Sequence, residues 1–141
     1  LANDNLDIVE DKALGHYTHE KSSVGCAAAL ATIDCLTEDG LLNNAVTLGN
    51  VGLEHLEALK VKYPIIYEVR GLGLFYGIDL RIDNKPASDQ ADAILYHSLS
   101  NGLSYKVGGG SILTLCPPLT IGNDELVHAF NIIEDGIKSL N

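Results

Sequence analysis

The chain has 141 residues, of which 46% are hydrophobic, and its formal net charge is −10. This length suits one domain, or one domain with a connector, and the hydrophobic content argues against a disordered chain. The negative charge argues against a nucleic-acid partner, because phosphate binding needs clustered Lys and Arg. No uninterrupted apolar run reaches the roughly 20 residues of a membrane-spanning helix, so we expect no membrane partner.

The amino-terminal segment, residues 1–22, lacks sustained periodicity and predicts a short strand at residues 6–9 followed by a polar loop. The loop places Tyr17 and Thr18 between two histidines, His16 and His19. A solvated loop is the plainest interpretation, and the spacing of a zinc site is missing. Hydroxyl and backbone N–H groups just before a helix do form natural anion sites, so a phosphate site remains open.

Two helices are predicted next. The first, residues 24–36, is rich in alanine, which favours helix and allows close packing. The second runs from residue 41 to about residue 60, and its apolar residues follow a three–four spacing that marks one buried face. Gly49 and Gly52 lie within this helix, where each costs about 1 kcal/mol relative to alanine. We therefore expect another element to pack closely against them.

The most strand-like run of the chain is residues 69–81, in which apolar and other residues alternate with period two. We predict that it forms a single central strand. Gly71, Gly73 and Gly77 fall on the face opposite the apolar residues, and glycine weakens a strand unless another backbone must come close. We therefore expect a helix, or another part of a larger molecule, to cross this strand.

A third helix is predicted over residues 89–100, with Ser88 as its N-cap. Residues 103–107 and 111–116 then predict two strands joined by a glycine turn, which is typical of a hairpin.

The last predicted helix begins at Gly122 or Asn123, with Glu125 in the position of a capping box. Its inward face is predicted to consist of five apolar residues: Leu126, Phe130, Ile133, Ile137 and Leu140. Strands joined by hairpins, with helices on one side, indicate an α+β fold with a small, largely antiparallel sheet.

Cys26, Cys35 and Cys116 are an odd number of cysteines in apolar sequence surroundings. We expect them to be buried and reduced, as in a cytoplasmic protein, rather than a disulfide framework. The chain has no methionine and no signal-peptide pattern. We therefore expect it to be a piece of a longer polypeptide.

Three segments resemble one enzyme family in the same order and spacing. They are GHYTHEKSSVGCAAALATIDCL, EVRGLGLFYGIDL and ILTLCPPLTIGNDELVHAFNIIEDGIKSL. They resemble the aromatic–Thr loop and alanine-rich helix, the "VRGxGLMxGxEL" strand and the "PPLxIxxxEL" ending of class III pyridoxal-phosphate aminotransferases. The resemblance implies the carboxy-terminal third of such a fold-type I enzyme. Residues 1–22 would end the cofactor domain, residues 23–39 would form a connecting helix, and residues 40–141 would form the small domain.

The resemblance also implies a cofactor, a partner and substrates. Tyr17 and Thr18 match the aromatic–Thr pair, which in this family reaches the cofactor phosphate of the neighbouring subunit of a homodimer. The implied substrates are small amines and keto acids, and the implied cofactor is pyridoxal 5′-phosphate. Arg70 matches a family arginine that we interpret as structural, because its guanidinium could bind neighbouring carbonyl or carboxylate groups.

The departures from the family pattern bear on the substrate. Members that use α-amino acids often have an arginine three residues before the first proline of PPL, and here that position is Thr114. Threonine cannot supply the bidentate charge that binds an α-carboxylate, so an ω-amine, or an anion held elsewhere, fits better. A plain strand residue is the equally open alternative for Thr114. Ser23 stands where the family usually has proline.

The catalytic lysine of the family would lie upstream of this chain, since Lys12 is too close to the loop and Lys21 lies beyond it. We therefore assign no catalytic residue. Two other classes remain as alternatives: a stand-alone, non-catalytic binding or scaffold domain, and a pyridoxal-phosphate lyase of the same family. A metal-dependent hydrolase has little support, because the five histidines show no ligand spacing: His16, His19, His55, His97 and His128.

Overall fold

A computed structural model of the chain describes residues 22–140. The predicted strand at residues 6–9 and the polar loop lie outside the described residues. The described part contains the following elements in order: α1 (Ser23–Glu38), α2 (Leu41–Lys62), β1 (Ile66–Leu72), β2 (Phe75–Ile82), β3 (Lys85–Pro86), α3 (Ser88–Ser100), β4 (Lys106–Gly108), β5 (Ile112–Leu115) and α4 (Asn123–Lys138).

The strands form one small sheet with the order β1-β2-β5-β4, and the short strand β3 pairs with β2. Every pairing is antiparallel, and β2 is the central strand. Val69, Ile78 and Leu113 lie opposite one another on three neighbouring strands and are buried on the same face. This inner face of the sheet carries the core.

In residues 22–140, the helices that cover the sheet lie on its inner face. α2 and α3 pack against the strands, and α4 packs against α2 and α3. The predicted inward face of α4 is confirmed, since four of its five residues are buried and the fifth is partly buried. The predicted α+β class, with a small antiparallel sheet and helices on one side, is confirmed.

The prediction of a single strand over residues 69–81 is wrong, because the chain reverses at Gly73 and Leu74 to form the β1–β2 hairpin. Gly73 has a φ of +54°, which a two-residue hairpin turn needs at its first position and which glycine adopts without strain. Leu72 is 86% exposed whereas Leu74 is 4% exposed. The burial pattern therefore changes phase at the turn, whereas the apolar alternation of the sequence runs on through it and hides it.

The expected close approach to the glycines of α2 is confirmed. A Cβ atom built at Gly49 would lie 2.6 Å from the carbonyl oxygen of Gly73, and one built at Gly52 would lie 2.3 Å from the hydroxyl of Tyr76. α2 therefore packs against the backbone of the hairpin turn at one glycine and against an aromatic side chain at the other.

Tyr76 fills the space that Gly52 leaves. Its side chain is 1% exposed, and its hydroxyl donates to the carbonyl oxygen of Leu48 at 3.1 Å. The ring packs edge-on against Phe130 of α4, with 5.6 Å between ring centroids. Burial raises the pKa of the Tyr76 hydroxyl, so it remains a neutral donor. One side chain thus connects the central strand to two helices.

The predicted burial of the three cysteines is wrong within the described residues. Cys26, Cys35 and Cys116 are all exposed and free. α1 contributes two of them, has no buried residue, and contacts no other described element than α2. The apolar sequence of α1 is therefore not matched by an apolar neighbour in residues 22–140.

Several element ends differ from the predictions. α2 continues to Lys62, and α3 begins at Ser88 with Ala87, rather than Ser88, as its N-cap. The strand predicted at residues 103–107 is β4, which is shorter and runs from Lys106 to Gly108. The predicted role of Glu125 in capping α4 is confirmed. Its carboxylate accepts a hydrogen bond from the backbone N–H of Gly122 at 2.8 Å.

None of the helices within residues 22–140 combines the length and the apolar character that crossing a membrane requires. The proposed boundaries at residues 22 and 39 stay a prediction.

A polar contact ties the carboxyl end of α2 to α4. Glu134 accepts a hydrogen bond from the Tyr63 hydroxyl at 2.7 Å and pairs with Lys62, while Lys138 lies 3.7 Å away on the same helix. The Glu134 side chain is only 15% exposed. Hydrogen bonds from Lys62 and Tyr63 lower the pKa of Glu134 from 4.5 to about 2.

We expect Gly49→Ala to destabilise the protein by roughly 1–3 kcal/mol, because the new methyl group would overlap backbone atoms that cannot move independently. The measurement is the free energy of unfolding in denaturant. Asn50→Ala is the matched control: it places alanine one residue further along the same helix at an exposed position, where alanine favours helix. Equal stability of the two variants would contradict the close approach.

We expect Glu134→Gln to lower stability by on the order of 1 kcal/mol at neutral pH, since the partners Lys62 and Lys138 are largely exposed. The folded pKa is depressed, so the contribution of the charge is complete above the unfolded value and is lost as the pH falls toward the folded value. Unfolding measured from about pH 7 to about pH 2 should show the two proteins converging below about pH 4.5. A difference that persists unchanged at low pH would disprove this origin.

Candidate functional site

The outer face of the sheet, opposite the helices, carries most of the polar strand residues. Arg70 of β1 lies opposite Gly77 of β2, Gly77 lies opposite Thr114 of β5, and Thr114 lies opposite Lys106 of β4. Directly paired residues of antiparallel strands point to the same face. The four residues therefore form one row across the sheet, and this row brings Arg70 and Thr114 to either side of a glycine.

A cleft of about 450 Å³ lies over this row. Its floor is Gly77, its polar groups are Arg70 and Thr114, and the remaining lining is mostly apolar and includes Leu72, Phe75 and Ile112. Leu72 and Phe75 are 86% and 56% exposed. The cleft is therefore open to solvent in the described part of the chain. We call it the outer-face cleft.

Gly77 creates the space in the outer-face cleft. A Cβ atom built there would lie 3.8 Å from Nε of Arg70 and 3.7 Å from the Ile112 side chain, which are ordinary contact distances. The Arg70 side chain thus crosses over the glycine toward β5. A larger residue at this position would fill the floor between Arg70 and Thr114.

Arg70 makes one hydrogen bond to the described protein. Its Nη1 donates to the Glu68 carboxylate at 2.9 Å, and the two side chains are 55% and 45% exposed. This contact agrees with the expectation that the guanidinium binds a neighbouring carboxylate. It is also a solvent-exposed pair on a single strand, which contributes little to stability.

Thr114 is half-buried, and its hydroxyl lies 3.5 Å from the carbonyl oxygen of Ile112, at the limit of hydrogen bonding. The structure therefore places the predicted substrate residue on an accessible face and next to an unfilled space. Arg70 and Thr114 were assigned separately from the sequence. The sequence could not predict their proximity, because it depends on the registers of the β1–β2 and β2–β5 pairings.

A buried carboxylate, that of Asp79, lies on the outer face beside the cleft. Asp79 is 4% exposed and pairs with Arg81 at 3.0 Å, while the Ser111 hydroxyl lies 3.4 Å from its other oxygen. The Arg81 guanidinium stacks over the Tyr67 ring at 4.3 Å. Asp79 is therefore neutralised by its own neighbours, and its charge is not available to the cleft.

A second cavity of about 490 Å³ lies between the end of α3, β5 and the start of α4. Its polar lining includes Tyr105, Cys116 and His128. The Tyr105 hydroxyl lies 3.1 Å from that of Ser98, and burial raises its pKa despite the opposing effect of this hydrogen bond. We assign no chemistry to this cavity.

Metal-binding side chains do not cluster in residues 22–140, where no three His, Cys, Asp or Glu groups come together. His55, one of the histidines considered above, packs against Phe130 with 5.3 Å between ring centroids.

Tyr17 and Thr18, the predicted phosphate-binding pair, lie outside the described residues. The helix that follows them is described. α1 begins at Ser23, and Ser22 caps it by accepting from the backbone N–H of Gly25 at 3.3 Å. Ser23 therefore occupies the first helical position, where proline is favoured. This explains how the proline of the resembled family could be replaced by serine without loss of the helix.

Comparison with known proteins tests the resemblance. The family model described as "Aminotransferase class-III" matches residues 12–137. The (R)-1-hydroxy-2-aminoethylphosphonate ammonia-lyase of Vibrio splendidus is 40% identical over 99% of this chain and 30% of its own length. The chain is thus matched almost completely by less than a third of that relative.

Two solved structures show the same fold. The acetylornithine aminotransferase of Elizabethkingia anophelis is 32% identical, with a TM-score of 0.82, over 99% of this chain and 36% of its own. An amine transaminase from an uncultivated Pseudomonas species, solved in its PLP-bound form, is 30% identical with a TM-score of 0.81. That match covers 91% of this chain and 30% of the transaminase.

The predicted resemblance is confirmed, and so is the fold type that it implied. The chain spans about a third of the length of these proteins. The match over residues 12–137 and the shared fold show that the chain belongs to the class III aminotransferase family, whose cofactor is pyridoxal phosphate.

Proposed function

We propose that this chain is the carboxy-terminal part of a pyridoxal-phosphate enzyme that transfers the amino group of a small amine to a keto acid. The observation that carries this proposal is the continuous family match over residues 12–137, together with a TM-score of 0.82 to an aminotransferase. The chain covers about a third of such enzymes, so the parent protein would supply the remaining machinery. A homodimer in the cytoplasm is the form that we propose for it.

The cofactor would be held in part by Tyr17 and Thr18, from the neighbouring subunit. Their donor chemistry suits a phosphate: a threonine hydroxyl and backbone N–H groups ahead of a helix supply hydrogen bonds to its oxygens. The bound cofactor would supply the electron sink for chemistry at the amine-bearing carbon. The lysine that carries the cofactor would lie upstream of residue 1, and the chain alone would not catalyse the reaction.

The small domain would contribute to the substrate pocket through the outer-face cleft. Thr114 lines this cleft where α-amino-acid enzymes of the family often carry an arginine. A neutral hydroxyl provides no counter-charge to an α-carboxylate. Thr114 therefore favours an amine whose amino group is not beside a carboxylate.

A second candidate reaction is ammonia release by a lyase of the same family. It is favoured by the 40% identity to a protein named as an ammonia-lyase that acts on a hydroxy-aminoethylphosphonate. A lyase differs from an aminotransferase in needing no keto acid, because the nitrogen leaves as ammonia. The small domain does not distinguish the two reactions, because it holds no assigned catalytic residue.

A stand-alone binding or scaffold domain is the alternative from another class. The family match supports the enzyme instead, and the intact mass of the native gene product separates the two. A mass several times the 15.0 kDa of this chain supports the enzyme, whereas a mass of 15.0 kDa would overturn it.

The reaction is tested with the purified full-length protein, pyridoxal phosphate and a small ω-amine such as 2-aminoethylphosphonate. We expect amino transfer only when pyruvate or 2-oxoglutarate is added, followed as alanine or glutamate. Ammonia formed without any keto acid, including from (R)-1-hydroxy-2-aminoethylphosphonate, would establish the lyase instead. Failure of both reactions, together with the absence of cofactor absorbance, would refute the proposal that the protein is a pyridoxal-phosphate enzyme.

We expect Thr18→Ala to weaken cofactor retention by about tenfold, because one charge-assisted hydrogen bond to the phosphate is lost. The measurement is the cofactor absorbance that remains after dialysis of the full-length protein. Thr120→Ala is the matched control, since Thr120 is exposed in a turn and is not part of the predicted phosphate pair. Equal cofactor retention in the two variants would contradict the assignment of Thr18 to the cofactor site.

A further inference from the structure

We propose that Arg70 and Thr114 bind the anionic end of the substrate, and that this end is a phosphonate or phosphate group carried by a small amine. This inference rests on the proposed function and specifies the substrate of the same site. It assigns to Arg70 a direct binding role in place of the structural role expected from the sequence.

The first support is the free donor capacity of Arg70. A guanidinium has five N–H donors, and one hydrogen bond, to Glu68, is present within the described residues. The side chain is 55% exposed and crosses Gly77, with Nε 3.8 Å from the position of a Cβ atom there. Most of its donors therefore remain available beside the floor of the outer-face cleft.

The second support is the opposite wall. Thr114 lies across Gly77 from Arg70, about 10 Å from it between Cα atoms if each strand spacing is about 4.8 Å. Among the described residues its hydroxyl has only the long contact of 3.5 Å to the carbonyl oxygen of Ile112, so it can donate to a ligand. A charged fork and a hydroxyl thus face a space that contains no side chain.

The geometry of the two donors favours a tetrahedral anion. A second arginine in place of Thr114 would allow two planar forks to hold a planar carboxylate. One fork and one hydroxyl on opposite walls suit an anion whose oxygens point in several directions, as the three oxygens of a phosphonate do. A dianion also gains more than a monoanion from a single guanidinium charge.

The walls between these donors suit the rest of the ligand. Leu72, Phe75 and Ile112 line the cleft with apolar surface. Such surface can pack against the one or two methylene groups of a small amine and lowers the local dielectric around Arg70.

Two carboxylates lie on the same face and oppose an anion. Asp79 is paired with the Arg81 guanidinium and accepts a long hydrogen bond from the Ser111 hydroxyl. Glu68 competes directly, because it occupies one nitrogen of Arg70. Glu68 is 45% exposed, so the ligand can displace it at small cost. The inference therefore predicts opposite effects for the two residues. Removing the charge of Glu68 should tighten anion binding, whereas removing the charge of Arg70 should weaken it.

The test is the dissociation constant of ethylphosphonate, an anion without an amine, measured by titration calorimetry with the full-length holoenzyme. We expect Arg70→Ala to weaken binding by about tenfold or more, Thr114→Val by less, and Glu68→Gln to tighten it. Lys85→Ala removes the same charge from exposed strand β3, outside the cleft, and should change the constant less than twofold. Propionate, the carboxylate counterpart, should bind more weakly than ethylphosphonate.

The outcomes separate this inference from the proposed function. Unchanged binding in Arg70→Ala, in a protein that still holds its cofactor and processes amines, overturns the inference alone. Arg70-dependent binding of ethylphosphonate in a protein without cofactor supports the site while the proposed function fails. Equal or tighter binding of propionate overturns the assignment to a phosphonate or phosphate.

Discussion

The contact between α2 and the β1–β2 hairpin determines how the rest of the small domain is arranged. Glycine at position 49 lets the helix meet the backbone of the turn at Gly73, and glycine at position 52 makes room for the ring of Tyr76. The Tyr76 hydroxyl then bonds to the helix, and its ring packs on α4. Each step depends on the absence of a Cβ atom in α2. Two positions that weaken an isolated helix therefore set the distance between helix and sheet.

This contact also decides which face of the sheet is available. All helices that cover the sheet lie on the inner side, so the outer face carries Arg70, Thr114 and the apolar side chains beside them without a covering element among the described residues. Gly77, on the outer face, has a different effect from Gly49 and Gly52 of α2. A Cβ atom at Gly77 would meet only ordinary contacts, so there the missing side chain leaves a space instead of permitting an approach.

The sequence predicted the helices, the second hairpin and the inward face of α4, because periodicity and turn residues are local signals. It failed at residues 69–81, where the turn residue Gly73 stands inside an unbroken alternation. That error also concealed the row of residues across the sheet. In a single extended strand, Arg70 and Gly77 would be far apart in space, because they are seven residues apart along the chain. In the hairpin they are direct cross-strand partners. The predicted burial of Cys26 and Cys35 was wrong for a related reason: it depends on what covers α1, which local sequence does not determine.

The row across the sheet gives physical meaning to the replacement of arginine by Thr114. An arginine there would share the space over Gly77 with Arg70, so that two guanidinium groups would face one cleft. Like charges that close repel unless an anion lies between them, which ties such a site to a firmly bound carboxylate. With threonine, Arg70 is the one cation of the described residues that lines the outer-face cleft, Glu68 pairs with it, and the space over the glycine is preserved. Under the substrate assignment proposed above, the cation of the outer-face cleft therefore lies on β1 alone, two strands away from Thr114.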